Sequence, residues 1–203
     1  MVWYTADVRT FSAEEYEAAF AMLDENKKAR VMRIRQKKDK LRTVVGDKLA
    51  RDLLARELKC APEDVRFCYE ENGKPYLEGN PLYFNLSHCE DLVVCAISKS
   101  PIGIDVEQLR DMPPRLAKKF FTPDECLYIF GHEPKDADWD GSFSPVQRLR
   151  FFEIWTSKEA YIKCVGQGLD RLRYIDTLSH TFERHLLKED YLVTIYQESF
   201  GLF

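Results

Sequence analysis

The sequence predicts an α+β protein built from two similar halves. Three observations carry that expectation. Residues 38–59 place apolar side chains at 41, 44, 45, 49, 53, 54 and 58, one face of a long amphipathic helix. Short β-type runs recur at 65–69, 83–86, 92–98, 103–107 and 191–196. Finally, EDLVVCAIS at 90–98 is echoed by EDYLVTIYQ at 189–197, an acidic pair followed by a β-type run of similar length. Each copy ends a stretch of roughly one hundred residues, as in a degenerate two-fold repeat. The repeat predicts halves at 1–100 and 101–203 packed about a pseudo-two-fold axis. The cleft between such halves is a favoured place for a ligand site.

The elements follow in order. Val2 to Val8 reads as a first strand. Ser12 is placed to cap a helix, with Glu15 three residues on as in a capping box, and residues 12–34 read as helical. The 38–59 helix stops before Pro62. The 65–69 strand leads into ENGKPYL, where Asn72-Gly73 signals a tight turn because both residues tolerate positive φ. Two strands follow, then the SKSP break, then a strand at GIDVE. A helix is expected after Pro113-Pro114 and another after Thr122-Pro123, where proline suits a first turn. Residues 131–145, GHEPKDADWDGSFSP, are rich in turn formers and read as a surface loop. A helix at 148–164 and a strand at 191–196 complete the chain.

Composition narrows the class. The 203 residues are 45% hydrophobic and 32% charged, ordinary for a soluble protein with a sizeable core. The longest purely apolar stretch, Leu92 to Ile97, is too short to cross a bilayer, and the start, MVWYTADVRTF, lacks the pattern of a secretory signal. The six cysteines are scattered without C-x-x-C or Cys/His spacing, and Cys95 and Cys164 lie in apolar stretches as buried thiols do. A reducing, cytoplasmic setting is expected. Net charge is −4, which argues against general nucleic-acid attraction. Residues 26–42, NKKARVMRIRQKKDKLR, nevertheless hold nine basic residues against one acid. That run is either a solvated helix face or a place for an anion.

Four short stretches carry chemistry. In GIDVE, strand alternation puts Asp105 and Glu107 on one side and Ile104 and Val106 on the other. Two carboxylates so placed are either the wet face of a strand or two arms of a site for a hard cation such as Mg²⁺. In WTSKEAYIKCVGQGL, Glu159 and Lys163 share a helix face, as a simple salt bridge or as a carboxylate ligand with a phosphate-binding cation. Lys158 and Lys163 bracket Glu159, so cations are expected on both sides of it. Gly166 and Gly168 then permit a tight exit. In FNLSHCE, Ser87 and His88 end a strand as a turn or as two phosphate donors, and adjacent side chains do not form a catalytic dyad. Lys74 sits at a hairpin tip stiffened by Pro75. His132, His180 and His185 receive no role, and Phe120-Phe121 and Phe151-Phe152 read as core aromatics.

Taken in order, GKP at 73–75, FNLSH at 84–88, GIDVE at 103–107, FF-x-x-x-E at 120–125 and W-x-x-KEA-x-x-K at 155–163 resemble the 4′-phosphopantetheinyl transferase superfamily. The likeness is to its longer, monomeric, surfactin-synthetase-activator (Sfp) type and runs from the basic N-terminal region to about Leu169. It implies two similar α+β halves with the site in the cleft. It implies transfer of the phosphopantetheine arm of coenzyme A to a serine of an apo acyl or peptidyl carrier protein, with adenosine 3′,5′-bisphosphate released. By position, Asp105, Glu107 and Glu159 match the family's Mg²⁺ carboxylates, with Mn²⁺ as the other candidate ion. Glu159, or Glu107 through a water, takes the serine proton, and both assignments stay open. Lys163 matches the pyrophosphate contact and acid. Ser87 and His88 match phosphate ligands, His88 near the 3′-phosphate, and Lys74 with Pro75 matches the adenine end. Arg42, and after it Lys27 and Arg30, match the remaining cations.

The expected partners are therefore a carrier domain and coenzyme A, with no nucleic acid, no membrane and a monomeric enzyme. The carrier belongs either to fatty-acid synthesis or to a peptide or polyketide synthase. The region just after KEA-x-x-K helps dock the carrier in this family. The chain departs from the family pattern after Leu169, where a shortened hairpin is expected. Readings of another class are a non-catalytic coenzyme A or nucleotide binder and a Mg²⁺-dependent phosphodiester hydrolase using the same residues.

Overall fold

In a computed structural model, residues 1–71, 73–79, 81–166 and 168–198 are described. The turn expected at Asn72 falls partly outside them. The chain forms two compact units, Met1–Pro101 and Ile102–Glu198.

In the first unit, β1 (Val2–Asp7) precedes α1 (Ala13–Ala21), α2 (Glu25–Arg33) and α3 (Lys37–Leu58). Then come a hairpin of β2 (Phe67–Tyr69) and β3 (Pro75–Leu77), and the strands β4 (Tyr83–Cys89) and β5 (Leu92–Ser98). The main sheet has the order β1-β5-β4, all antiparallel. Ser12 and Glu15 form the expected capping box. The single helix expected over 12–34 is instead two. Asp24 interrupts it by accepting Lys27 N–H at 2.8 Å, capping α2 as a fresh start. α3 lies on the sheet, its Ala50, Leu53 and Leu54 packed with Phe84, Cys95 and Ile97. Burying each of the larger ones, Leu53, Leu54, Phe84 and Ile97, contributes about 1.5–3 kcal/mol.

The second unit repeats the plan. β6 (Ile102–Gln108) leads into α4 (Arg115–Phe120), α5 (Pro123–Phe130), α6 (Asp136–Asp140) and α7 (Pro145–Val165), and β7 (Glu183–Leu187) and β8 (Tyr191–Gln197) close it. The sheet order is β6-β8-β7. In both units the first strand pairs with the last and the last with the one before it. The repeated sequence falls on β5 and β8, the central strand of each sheet. One expectation needs correction here, and one strand goes beyond those expected. The 131–145 stretch contains the short helix α6, and ERHLL at 183–187 is a strand that alternates too weakly to announce itself. α7 also begins at Pro145, three residues earlier than its apolar pattern, because Ser144 and Gln147 form a capping box around the proline.

α7 lies directly on β6. A methyl group on Gly103 would stand 1.9 Å from Ala160 O and 2.7 Å from Cys164 N, so only glycine admits this approach. Along the rest of α7, Phe151, Phe152 and Ile154 bury with Phe121 and Phe130. All six cysteines are free thiols, with Cys95 and Cys164 buried as expected. Among the described residues no helix is long and apolar enough to cross a membrane.

Candidate active site

Gly103 faces α7, so alternation turns Asp105 and Glu107 to the same side. Asp105 is only 4% exposed. Lys163, reaching from α7, donates from Nζ to Asp105 Oδ1 at 2.6 Å and to Ile104 O at 3.4 Å. Glu107, nearer the strand end, accepts from Arg110 Nη1 at 2.9 Å. In the β6–β8 register Asp105 stands opposite Thr194, and Thr194 Oγ1 lies 2.6 Å from Thr156 Oγ1 on α7. That buried hydroxyl pair fixes α7 against the sheet one turn before Glu159.

Glu159 feels both strand carboxylates. Burial first, then Asp105, drive its carboxyl up to about 7. Lys163 pulls the other way and Glu107 adds a smaller push upward. Its proton affinity therefore lies near the neutral range in which a general base works best. A consequence is testable on the metal-free protein. Between an ordinary glutamate's pKa and about 7, the folded chain holds a proton that the unfolded chain releases. The stability this contributes is full below the unfolded value and lost as pH rises through about 7. Stability should fall between pH 5 and 8 by an amount on the order of 2 kcal/mol, read as a lower melting temperature. Glu159→Gln should flatten that slope, and an unchanged slope would contradict the assignment.

Asp105, Glu107 and Glu159 offer hard oxygen donors, the chemistry that Mg²⁺ or Mn²⁺ takes. Their mutual repulsion, visible in the raised Glu159, is what a divalent ion would relieve. Among the described residues no three such side chains stand in ready metal-binding geometry. Asp105 instead uses Lys163 as its counter-charge.

Lys158 does not bracket Glu159 as expected. It is wholly buried and ion-pairs with the equally buried Glu125 at 2.8 Å. Adjacent residues on a helix point about 100° apart, so one turns inward as the other turns to the site. The spacing of KEA-x-x-K contains that distinction, but which lysine is buried depends on α5 and the 169–179 segment. The Arg110–Glu107 and Lys158–Glu125 pairs are both absent from the reading of the sequence.

In the first unit the structure brings Arg30 to the hairpin tip. Its Nη1 lies 4.0 Å from where a Cβ on Gly73 would be, beside Lys74 and Pro75. Gly73 has φ +83°, and Glu70 O accepts its N–H at 2.8 Å, which shapes the tip. Lys27 is placed differently. It binds Asp47 Oδ1 at 2.7 Å, Arg51 holds the other oxygen at 2.5 Å, and Arg51 also donates to Val65 O at 2.7 Å. Lys27 thus ties α2 to α3. Arg42 bonds Asp39 at 3.2 Å, is 15% exposed, and keeps its Nε buried without a hydrogen-bond partner. It acts on Glu90 at the β4–β5 turn. Ser87 and His88 lie on opposite faces of β4, Ser87 buried and His88 exposed on the face of Leu86.

Two family descriptions match the chain. The 4′-phosphopantetheinyl transferase superfamily covers residues 101–198, and the N-terminal part of a 4′-phosphopantetheinyl transferase covers 10–100. The 4′-phosphopantetheinyl transferase Sfp of Bacillus subtilis is 33% identical over 162 residues, 79% of this chain and 68% of its own length. HetI of Nostoc sp., also named a 4′-phosphopantetheinyl transferase, is 36% identical over 77% of this chain and 65% of its own length. The transferase gsp of Aneurinibacillus migulanus is 35% identical over 65% of this chain and 51% of its own length.

Proposed function

The chain belongs to the 4′-phosphopantetheinyl transferase superfamily, and from that membership we propose the reaction its residues perform. The phosphopantetheine arm of coenzyme A passes to a serine hydroxyl of an apo acyl or peptidyl carrier domain. The serine oxygen forms a new bond to the arm's phosphorus, and the bond from that phosphorus to the bridging oxygen breaks. Adenosine 3′,5′-bisphosphate leaves with the bond's electron pair. The serine proton goes to Glu159, or to Glu107 through a water, and Lys163 supplies a proton to the departing phosphate. The observation that carries this reading is the coupling of Asp105, Glu159 and Lys163, an acid cluster with its own cation on a helix bolted to β6.

Asp105, Glu107 and Glu159 would hold Mg²⁺ or Mn²⁺, which when bound offsets charge on the phosphates as the diester exchanges. Ser87, His88, Arg42, Arg30, Lys74 and Pro75 would hold the nucleotide end of coenzyme A. Lys27 joins them if its bond to Asp47 is shared with the 3′-phosphate. The chain acts here mainly by positioning and by fixed charge, and no covalent enzyme intermediate is needed. We place the enzyme in the cytoplasm as a monomer.

The test is to incubate the protein with coenzyme A, Mg²⁺ and several apo carrier domains, then weigh each carrier. A phosphopantetheine adduct on at least one is expected. No adduct on any would overturn the reading, and adenosine bisphosphate released without adduct would point to hydrolysis.

A further inference from the structure

Glu159 sits on α7 between two places where the helix comes unusually close to its sheet. One is Gly103, which passes against Ala160 and Cys164. The other is the pair of hydroxyls on Thr156 and Thr194, 2.6 Å apart, with Thr156 three residues before Glu159. Both threonines are 0% exposed. Thr156 Oγ1 donates to Phe152 O at 2.7 Å, and a hydroxyl has a single proton. The proton between the two oxygens therefore comes from Thr194. Thr194 in turn stands directly across from Asp105 in the β6–β8 pairing. Residues so placed share a face of the sheet, about 4.5–5.5 Å apart at Cβ. One hydroxyl thus belongs to the strand neighbour of Asp105, and the other to the helix that carries Glu159 and Lys163.

Stability gives little reason for this choice of residues. A helical threonine that bonds back four residues slightly weakens its own helix. A neutral hydrogen bond adds little net stability, and replacing both partners by apolar groups of the same shape is often nearly neutral. What the hydroxyls provide is closeness. Carbon atoms rest about 3.5–4.0 Å apart, so two methyl groups here would stand about 1 Å farther apart than these oxygens.

We infer that Thr156 and Thr194 are positioning residues for the reaction. Their bond sets the height of α7 over the sheet at Glu159. With Gly103 just beyond, it holds Glu159 and Lys163 against Asp105. Both threonines are wholly buried, so neither touches a substrate, and their effect passes through the helix. The inference rests on the transferase reading for the roles of Asp105, Glu159 and Lys163.

Three variants of the full chain test this. Thr156→Val/Thr194→Val keeps the shape of both side chains and removes the bond. Misplacing reacting groups by about 1 Å can cost on the order of 10²-fold, so kcat for carrier loading should fall about 100-fold. KM for coenzyme A should stay within about twofold, because the contacts proposed for its nucleotide end lie in the first unit. Thr156→Ser/Thr194→Ser keeps both hydroxyls and loses two buried methyl groups. It should melt below wild type yet keep kcat within about threefold. Thr194→Val alone leaves Thr156 its bond to Phe152 O and strands no donor, so it carries the test should the double valine variant fail to fold. Its kcat should fall about tenfold. Crystal structures of wild type and of a valine variant give a reading that needs no activity. Glu159 Cα should lie about 1 Å farther from Asp105 Cα in the variant. Wild-type kcat in the folded valine variants would overturn the inference, and so would an unmoved α7. Equal losses of kcat in the serine and valine doubles would also overturn it, since lost packing would then account for the effect. If the wild-type protein loads no carrier at all, the transferase reading falls. The displacement of α7 then still decides whether the hydroxyl pair sets its height.

Discussion

Asp105→Asn is expected to lower carrier loading by at least about 10²–10³-fold while leaving the protein folded. Asparagine keeps the shape of the side chain and removes its charge. At the site this withdraws one of three carboxylates and the acceptor that Lys163 holds at 2.6 Å. Breaking a deeply buried pair usually costs several kcal/mol, but Lys163 is 27% exposed and retains Ile104 O, so water can take up its charge. The repulsion that raises Glu159 is also relieved. The stability change should therefore stay within about 2 kcal/mol. The Glu159 titration should move down from about 7, toward the ordinary range, because Asp105 is its second-largest cause. Carrier loading followed by mass, melting temperature, and a carboxyl titration by NMR check the three statements separately. Substantial loading by the variant would remove Asp105 from the machinery. A collapse of the fold would show that its charge is structural.

Much of the candidate site's local geometry is legible in the sequence. Alternation in GIDVE places Asp105 and Glu107 together, and helix spacing puts Glu159 and Lys163 on one face. What joins the strand to the helix is less visible. Gly103 looks like an ordinary strand glycine until α7 is known to cross it. Lys158 and Lys163 have the same chemistry on the same helix, and burial alone divides their work. Burial is set by α5 and by residues 172–177, far from KEA in sequence. The break between α1 and α2 was missed because one aspartate cap outweighed a continuous helical composition. β7 was missed because an edge strand with both sides partly wet carries no clear two-residue period. The basic run at 26–42 was ambiguous for a physical reason too. Lys27 and Lys38 meet local carboxylates, at Asp47 and at Glu90 with Asp91, whereas Arg30 reaches the hairpin tip. Charge counting cannot separate a cation used inside the fold from one left for a ligand.

Gly103→Ala should be the most damaging single methyl group in the second unit. The new carbon would overlap Ala160 O at 1.9 Å and crowd Cys164 N at 2.7 Å and Ala160 C at 2.9 Å. All three are main-chain atoms of α7, so no side-chain rotation gives relief. The helix must rise off β6, and overpacking of this kind costs about 3 kcal/mol or more. The same displacement carries Glu159 and Lys163 away from Asp105, so activity should fall even at temperatures where the variant remains folded. Gly46 supplies the control. It lies inside α3 facing β5, where a methyl group would meet only Val93 Cγ1 at 3.5 Å and Leu86 Cδ2 at 3.9 Å. Those are ordinary contacts, and alanine is favoured over glycine in a helix by about 1 kcal/mol. Gly46→Ala should therefore match or exceed the wild-type melting temperature and load carrier normally. A Gly103→Ala protein with wild-type stability and an undisturbed Glu159 titration would mean that α7 does not rest on β6, and the coupling of the strand carboxylates to Glu159 would lose its structural cause.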